Sequence, residues 1–190
     1  MERALIIIDA QEDFTRGTLR NEEAIEALPV ITEVVECATR QRMKIYYTKD
    51  THHGIEPYLN SQEGRNLPIP HCIYDTNGWD LCREVLPRDF DRAQVIEKHN
   101  FGTIEWKMLP ELNRYDEIWM CGFCTDICVS ANFQIIKALY PEVPIVIVSD
   151  ACAGVTPDLH SAALKVMESC QARILTWKEL EYESECDGCE

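Results

Sequence analysis

Cys128 is the residue of this chain best placed to do chemistry. A short apolar run, 118–121 (IWMC), passes through Gly122 and reopens as a helix at Thr125-Asp126, with Cys128 in the first turn. Strand, tight turn and helix start put a thiol where backbone N–H groups are unpaired and the helix dipole is positive. Both favour thiolate over thiol. Cys128 is therefore a candidate nucleophile, set against the plainer reading of Cys121, Cys124 and Cys128 as small buried apolar residues. Two further residues complete a nucleophilic set. Asp9 ends the apolar run 4–8 (ALIII), and Lys98 follows the run 93–97 (AQVIE). A carboxylate can take the thiol proton, an ammonium favours the thiolate, and the thiolate attacks.

For these groups to meet, the segments carrying them must lie side by side. The runs 4–8 and 144–148 (PIVIV) are continuously apolar and β-branched, as strands buried on both faces are. Further strands are expected at 44–48 (KIYYT), 93–97, 118–121 and 172–175 (ARIL). Helices are expected at 29–41, with Pro29 in the first turn and Val30, Val34, Val35 and Ala38 on one face, and at 125–140 and 160–170. A shorter helix over 104–112 is broken near Pro110. The alternation predicts an α/β fold, a three-layer sandwich around a mostly parallel sheet of about six strands. In such sheets ligands bind outside the carboxyl ends of the strands, near where strand order reverses. That rule gathers Asp9, Asp50, Lys98, Cys124, Cys128 and Asp150 at one edge. The stretch 54–79, with three prolines and three glycines, reads as a long loop, and a loop of that length in a compact domain points to function.

The chain's 190 residues suit one domain with a real core, expected over 1–182, followed by an acidic tail over 183–190. A net charge of −15 leaves no basic surplus to meet phosphates, which argues against nucleic acid or an anionic membrane as partner. The N-terminal apolar run is too short for a signal-peptide core, and no other run approaches the ~20 residues of a membrane helix, so a cytoplasmic location is expected. The ten cysteines then read as reduced thiols, and Cys186-Asp187-Gly188-Cys189 as a frayed end rather than a metal or redox site.

Three blocks resemble the signatures of the isochorismatase-like cysteine hydrolases. They are Ile7-Ile8-Asp9-Ala10-Gln11-Glu12-Asp13-Phe14, then Val95-Ile96-Glu97-Lys98 with Phe101, then Gly122-Phe123-Cys124-Thr125-Asp126-Ile127-Cys128-Val129. They stand in the family's order, and Ser149-Asp150-Ala151 with His160 is similar to its closing pattern. The resemblance implies Asp9 as general base, Lys98 as the cation that stabilises thiolate, and Cys128 as nucleophile. It also implies a cis peptide between Phe123 and Cys124, with the N–H groups of Cys124 and Cys128 as oxyanion hole.

Within the family, Asp50-x-His52 and Pro70-His71-Cys72 resemble the metal site of the nicotinamidases. Alternate residues of an extended segment share a side, so Asp50 and His52 can face one way, with His71 closing the site from across the loop. The resemblance implies one divalent ion, Zn²⁺ first and Mn²⁺ or Fe²⁺ as alternatives, held by Asp50, His52, His71 and a further ligand. Glu63 is the choice for that ligand, with Glu56 and His53 left open. Phe14 and Phe101 are expected to wall the substrate. Leu67-Pro68-Ile69-Pro70 stands where nicotinamidases carry a stacking aromatic, so Leu67 would be a substrate contact of another kind. The implied activity is hydrolysis of nicotinamide to nicotinate and ammonia by a homodimer or homotetramer. The rivals are another small amide, isochorismate, or a non-catalytic binding role.

Overall fold

Each apolar run becomes a strand of one sheet. In the computed structural model, which describes residues 1–87, 90 and 93–186, the strands are β1 (Arg3–Ile8), β2 (Lys44–Asp50), β3 (Gln94–Lys98), β4 (Glu117–Phe123), β5 (Ile145–Ala153) and β6 (Ala172–Leu175). Their order is β3-β2-β1-β4-β5-β6, and all five pairings are parallel. β4 is buried along its whole length and β1 from Ala4 onward, which is why both read as unbroken apolar runs rather than as alternation.

Helix α1 (Glu12–Thr15) is a single turn after β1, and α2 (Glu22–Arg40) crosses from there to β2. α3 (Ile55–Asn60) and α4 (Gln62–Asn66) follow β2. α5 (Ser130–Leu139) links β4 to β5, α6 (Pro157–Ser169) links β5 to β6, and α7 (Trp177–Cys186) comes last. From the middle of the sheet the chain leaves β1 toward β2 on one side and β4 toward β5 on the other. Right-handed crossovers then send α2 to one face and α5 with α6 to the opposite one. α2 packs on β1, β4 and β5, and α5 packs on α6. The reversal of direction opens a crevice at the carboxyl ends of β1 and β4. Gly122 allows these two strands to close there: its φ is +118°, and a Cβ would stand 2.0 Å from the Ile8 carbonyl oxygen.

Several elements differ from the sequence expectation. α2 starts well before Pro29, at Asn21, whose side chain accepts from Ala24 N at 3.1 Å. Pro29 lies inside the helix on its exposed side. A buried stripe through Ala24, Leu28, Ile31, Val34 and Val35 outweighs the roughly 3 kcal/mol that an interior proline costs. The stretch 54–79 holds α3, α4 and a 3₁₀ turn at Asn77–Trp79, each too short to show a sustained period. Residues 104–112 form part of two 3₁₀ turns, Ile104–Met108 and Pro110–Arg114, rather than an α-helix. β5 runs past Asp150, because its register against β4 shifts between Met120 and Gly122. Asp150 therefore leaves the functional edge and accepts from Trp177 N at 2.7 Å, tying down the start of α7. α7 crosses the boundary expected at residue 182, with Trp177 edge-on to Trp119 and Leu180 buried.

Among the described residues eight cysteines are free, and no helix is long and apolar enough to cross a membrane. Cys189, and with it the terminal CxxC, lies outside the described residues.

Candidate active site

Asp9 follows β1 in a left-handed conformation, φ 47°, fully buried. Thr48 on the neighbouring strand accepts from Asp9 N at 3.1 Å and donates its hydroxyl to Asp9 Oδ1 at 2.6 Å. Lys98 ends β3 and reaches under β2, where its Nζ lies 2.7 Å from Asp9 Oδ2 and 3.2 Å from Asp50 Oδ1. The same ammonium donates to Asn100 O at 3.0 Å and to Cys128 Sγ at 3.5 Å. Asp9 Oδ2 is buried, with the Lys98 ammonium as its close neighbour.

Burial and charge act on these groups in opposite senses. For Lys98, burial disfavours the ammonium, but Asp9, Cys128 and Asp50 around it outweigh that and hold its pKa well above the usual lysine range. Burial raises Asp9, against the pull of Lys98. Burial also raises the Cys128 thiol well above the usual cysteine range, with Lys98 opposing it. The thiolate expected from a helix start is not what the surroundings favour. Cys128 sits in a wide π-type turn, Thr125–Val129, ahead of α5, and desolvation there exceeds what Lys98 returns. Burial thus acts against charge on all three groups, and the mutual attraction of Lys98 with Asp9 and Cys128 acts for it.

The turn carrying Cys128 is held from both sides. The Phe123–Cys124 peptide is cis, with Phe123 in the core and Cys124 facing the pocket. Burial pushes the Cys124 thiol up to about 12. The Cys124 carbonyl accepts from Ile127 N and Val129 N, both at 3.1 Å, and passes over the Cys128 amide between them. Asn132, fully buried on α5, donates to Cys128 O at 2.8 Å and to Phe101 O at 3.1 Å. Its Oδ1 accepts from Trp106 Nε1 at 2.7 Å. On the outer side, Thr125 Oγ1 and His160 Nδ1 are 2.8 Å apart, and Val155 N donates to Asp126 Oδ1 at 2.9 Å.

Beside this trio, Asp50, His52, Glu63 and His71 bring one donor atom each within 4.8 Å of one another. Asp50 Oδ2 lies 3.1 Å from His52 Nε2 and 3.4 Å from His71 Nε2. Glu63 Oε1 lies 3.8 Å from His52 Nε2 and 3.5 Å from His71 Nε2. The edge of a tetrahedron of N and O ligands around Zn²⁺ is about 3.4 Å, and these four separations, 3.1 to 3.8 Å, bracket it. His71 Nδ1 is 2.9 Å from Ile69 O; a carbonyl only accepts, so Nδ1 carries the proton and Nε2 turns its lone pair to the cluster. Two carboxylates with two imidazoles are a donor set that suits a divalent ion. Burial pushes Asp50 up, but His52, His71 and Lys98 outweigh it and hold its carboxyl well below the usual range. His53 instead stacks near Tyr74 and His99, and Glu56 is exposed on α3, so neither belongs to the cluster.

A pocket of about 520 Å³ is lined by Cys128 of the trio, by Cys124, and by Asp50, Glu63 and His71 of the cluster, with Asp9 and Lys98 buried behind it. Phe14, Leu67 and Phe101 also line it. Four positioning residues carried no sequence signal of their own. Gln11 accepts from Asp50 N at 2.7 Å and donates to Asp50 O at 3.0 Å, gripping the strand end that the two sets share. Asp13 accepts from Cys72 N at 2.6 Å, next to His71. Thr48 and Asn132 act as described. Gln11 and Asp13 lie inside a signature block, which is the one signal that could have marked them; Thr48 and Asn132 have none.

Known proteins share this fold. A search of curated proteins gave no match. Among solved structures, nicotinamidase PncA from Bacillus subtilis shares the fold at a TM-score of 0.79 and 24% identity, over 92% of this chain and 99% of that one. Pyrazinamidase of Pyrococcus horikoshii in complex with zinc gives 0.79 and 24%, over 93% and 99%. N-carbamoylsarcosine amidase from Thermoplasma acidophilum gives 0.75 and 24%, over 93% and 97%. The family described as the isochorismatase domain matches residues 3–179, and the chain accordingly belongs to the isochorismatase-like hydrolases.

Proposed function

We propose that this protein is a cysteine amidohydrolase that converts a small neutral carboxamide to a carboxylate and ammonia, and that nicotinamide is among its substrates. One observation carries the reading. Asp50 turns Oδ1 to the lysine of the nucleophilic trio and Oδ2 to the imidazoles of the donor cluster, so both sets are built around one residue on one pocket. In the reaction Asp9 takes the Cys128 proton as the thiolate attacks the carboxamide carbon, while Lys98 stabilises the developing anion. The N–H groups of Cys124 and Cys128 receive the oxyanion, at about 3 kcal/mol per donor. Asp9 passes its proton to the amide nitrogen, the C–N bond breaks, ammonia leaves, and a thioester remains on Cys128. Asp9 then deprotonates water, which attacks the thioester; the C–S bond breaks and the thiol is restored. The balance is carboxamide plus water to carboxylate plus ammonium.

Asp50, His52, Glu63 and His71 would hold a divalent ion of the Zn²⁺, Mn²⁺ or Fe²⁺ kind. When bound, it supplies a coordination point that orients a substrate donor such as a ring nitrogen. The similarity to nicotinamidase and zinc-bound pyrazinamidase folds supports this assignment. Isochorismate fits less well, being a dianion. The pocket carries Glu22, Glu23, Glu63 and Asp50, its Arg20 is paired with Glu22 at 2.9 Å, and the chain's net charge is −15.

The test is ammonia release from nicotinamide by metal-replete protein, beside Cys128→Ala and beside chelator-stripped protein refilled with each ion. Wild type is expected to turn over, and Cys128→Ala to fall by at least about 10³-fold. Absence of ammonia release from nicotinamide and from other primary carboxamides by metal-replete wild type overturns the reading.

A further inference from the structure

Beyond its donor cluster and cysteines the pocket is lined largely by apolar side chains, several of them open to solvent. Among the described residues, four exposed large apolar side chains gather at this one mouth: Leu67 (36% exposed), Ile69 (40%), Phe101 (49%) and Val155 (49%). They come from three separate segments, so no single amphipathic element explains them. Contiguous exposed apolar surface at a cavity marks a ligand groove. Half-buried Leu19 and buried Phe14 line the same pocket. The pocket of about 520 Å³ falls within the range of ~300–1,000 Å³ that takes drug-sized ligands, more than one small ring requires. The charged groups at the mouth, Glu22 and Glu23 with Arg20 already paired, leave no free cation to receive an anionic tail.

We infer that the preferred substrates are neutral carboxamides bearing an extended apolar tail, the amide held over Cys128 and the tail along Leu67, Ile69, Phe101 and Val155. The inference rests on the amidohydrolase reading and specifies its substrate class. Apolar burial contributes about 0.8 kcal/mol per methylene, which at 1.36 kcal/mol per decade is about fourfold in kcat/KM for each methylene that reaches the wall.

The experiment measures kcat/KM by ammonia release for nicotinamide, butanamide, hexanamide, octanamide and 3-phenylpropanamide with the metal-replete protein. The expected result is a rise of at least about tenfold from butanamide to octanamide, with 3-phenylpropanamide above nicotinamide. Val155→Asp and Leu67→Asp, both at exposed positions and checked for wild-type metal content and melting temperature, should lower the octanamide-to-butanamide ratio by at least about fivefold. If the amides are cleaved but the profile is flat or falls with length, the tail inference is overturned and the amidohydrolase reading stands. If none is cleaved, both fall. If the profile rises but the ratio is unmoved in both variants, the wall is not the tail site and the inference is overturned.

Discussion

One ammonium serves two carboxylates and a thiol in this site. Lys98 Nζ approaches Asp9 at 2.7 Å, Asp50 at 3.2 Å and Cys128 Sγ at 3.5 Å with no bulk water to share the load. Asp50 has two imidazoles beside it as well and its carboxyl is held low, whereas Asp9, with burial against it, is pushed up. A base whose pKa lies above the ordinary carboxylate range is a better acceptor for a thiol proton and a better donor to a leaving amine. The sign of the pH dependence follows. Asp9 accepts only as carboxylate, so kcat/KM should fall as pH is lowered through its raised pKa, with an acid limb above the usual carboxylate range. Measured at saturating metal, so that ligand protonation does not set the limb, the profile should lose this limb in Asp9→Asn along with nearly all activity. An acid limb at ordinary carboxylate pKa would count against burial as the dominant influence on Asp9.

Between elements, the geometry depends on how closely β1 and β4 approach. Asp9 leaves the end of β1 and the Phe123–Cys124 peptide leaves the end of β4, so the spacing of these strands sets the distance from base to nucleophile turn. Gly122 permits it, since a Cβ there would lie 2.0 Å from Ile8 O and 2.7 Å from Ile8 N at a φ of +118°. No flexible side chain stands in the way that could yield; the obstacle is backbone. Gly122→Ala should therefore cost more than about 2 kcal/mol in urea unfolding and lower activity beyond what the lost folded fraction explains. A wild-type urea midpoint in this variant would show that the strands can part without consequence.

For the molecule as a whole, the donor cluster ties two stretches outside the sheet to the end of β2. Asp50 and His52 lie at the end of β2, Glu63 on α4, and His71 in the segment after it. A chain of charge −15 that brings two carboxylates together here gains from a bound dication beyond any role in catalysis. An ion at one hundred times its dissociation constant adds about 2.7 kcal/mol, or about 5–10 °C in melting temperature for a protein of this size. Chelation should lower the melting temperature by that amount, refilling should restore it, and His71→Ala should respond to neither. A melting temperature indifferent to chelator and metal would remove the ion from the account.

Much of this was open to sequence reading because it is local. Six apolar runs, a polar residue at the end of each of β1, β2 and β3, and the alternation of Asp50 with His52 depend on residues a few positions apart, and they place Asp9, Lys98, Cys128 and the edge they share. The helix cap at Asn21 is equally local, but Pro29 offers a competing start signal, and its place inside α2 is intelligible only once the helix's buried stripe is known. Other features depend on distant partners. Burial by the whole fold pushes the Cys128 thiol up against Lys98, and no window of sequence carries that sum. Gln11 grips Asp50 across 39 positions, and Asn132 ties Phe101 to the nucleophile turn across 31. Asp150 stood at the end of an apolar run, yet a register shift between β4 and β5 carried it to the start of α7. Periodicity and end-of-strand chemistry are properties of neighbouring residues and are written in the sequence; burial, register and the choice of hydrogen-bond partner are sums over the folded surroundings, and the tertiary structure alone decides them.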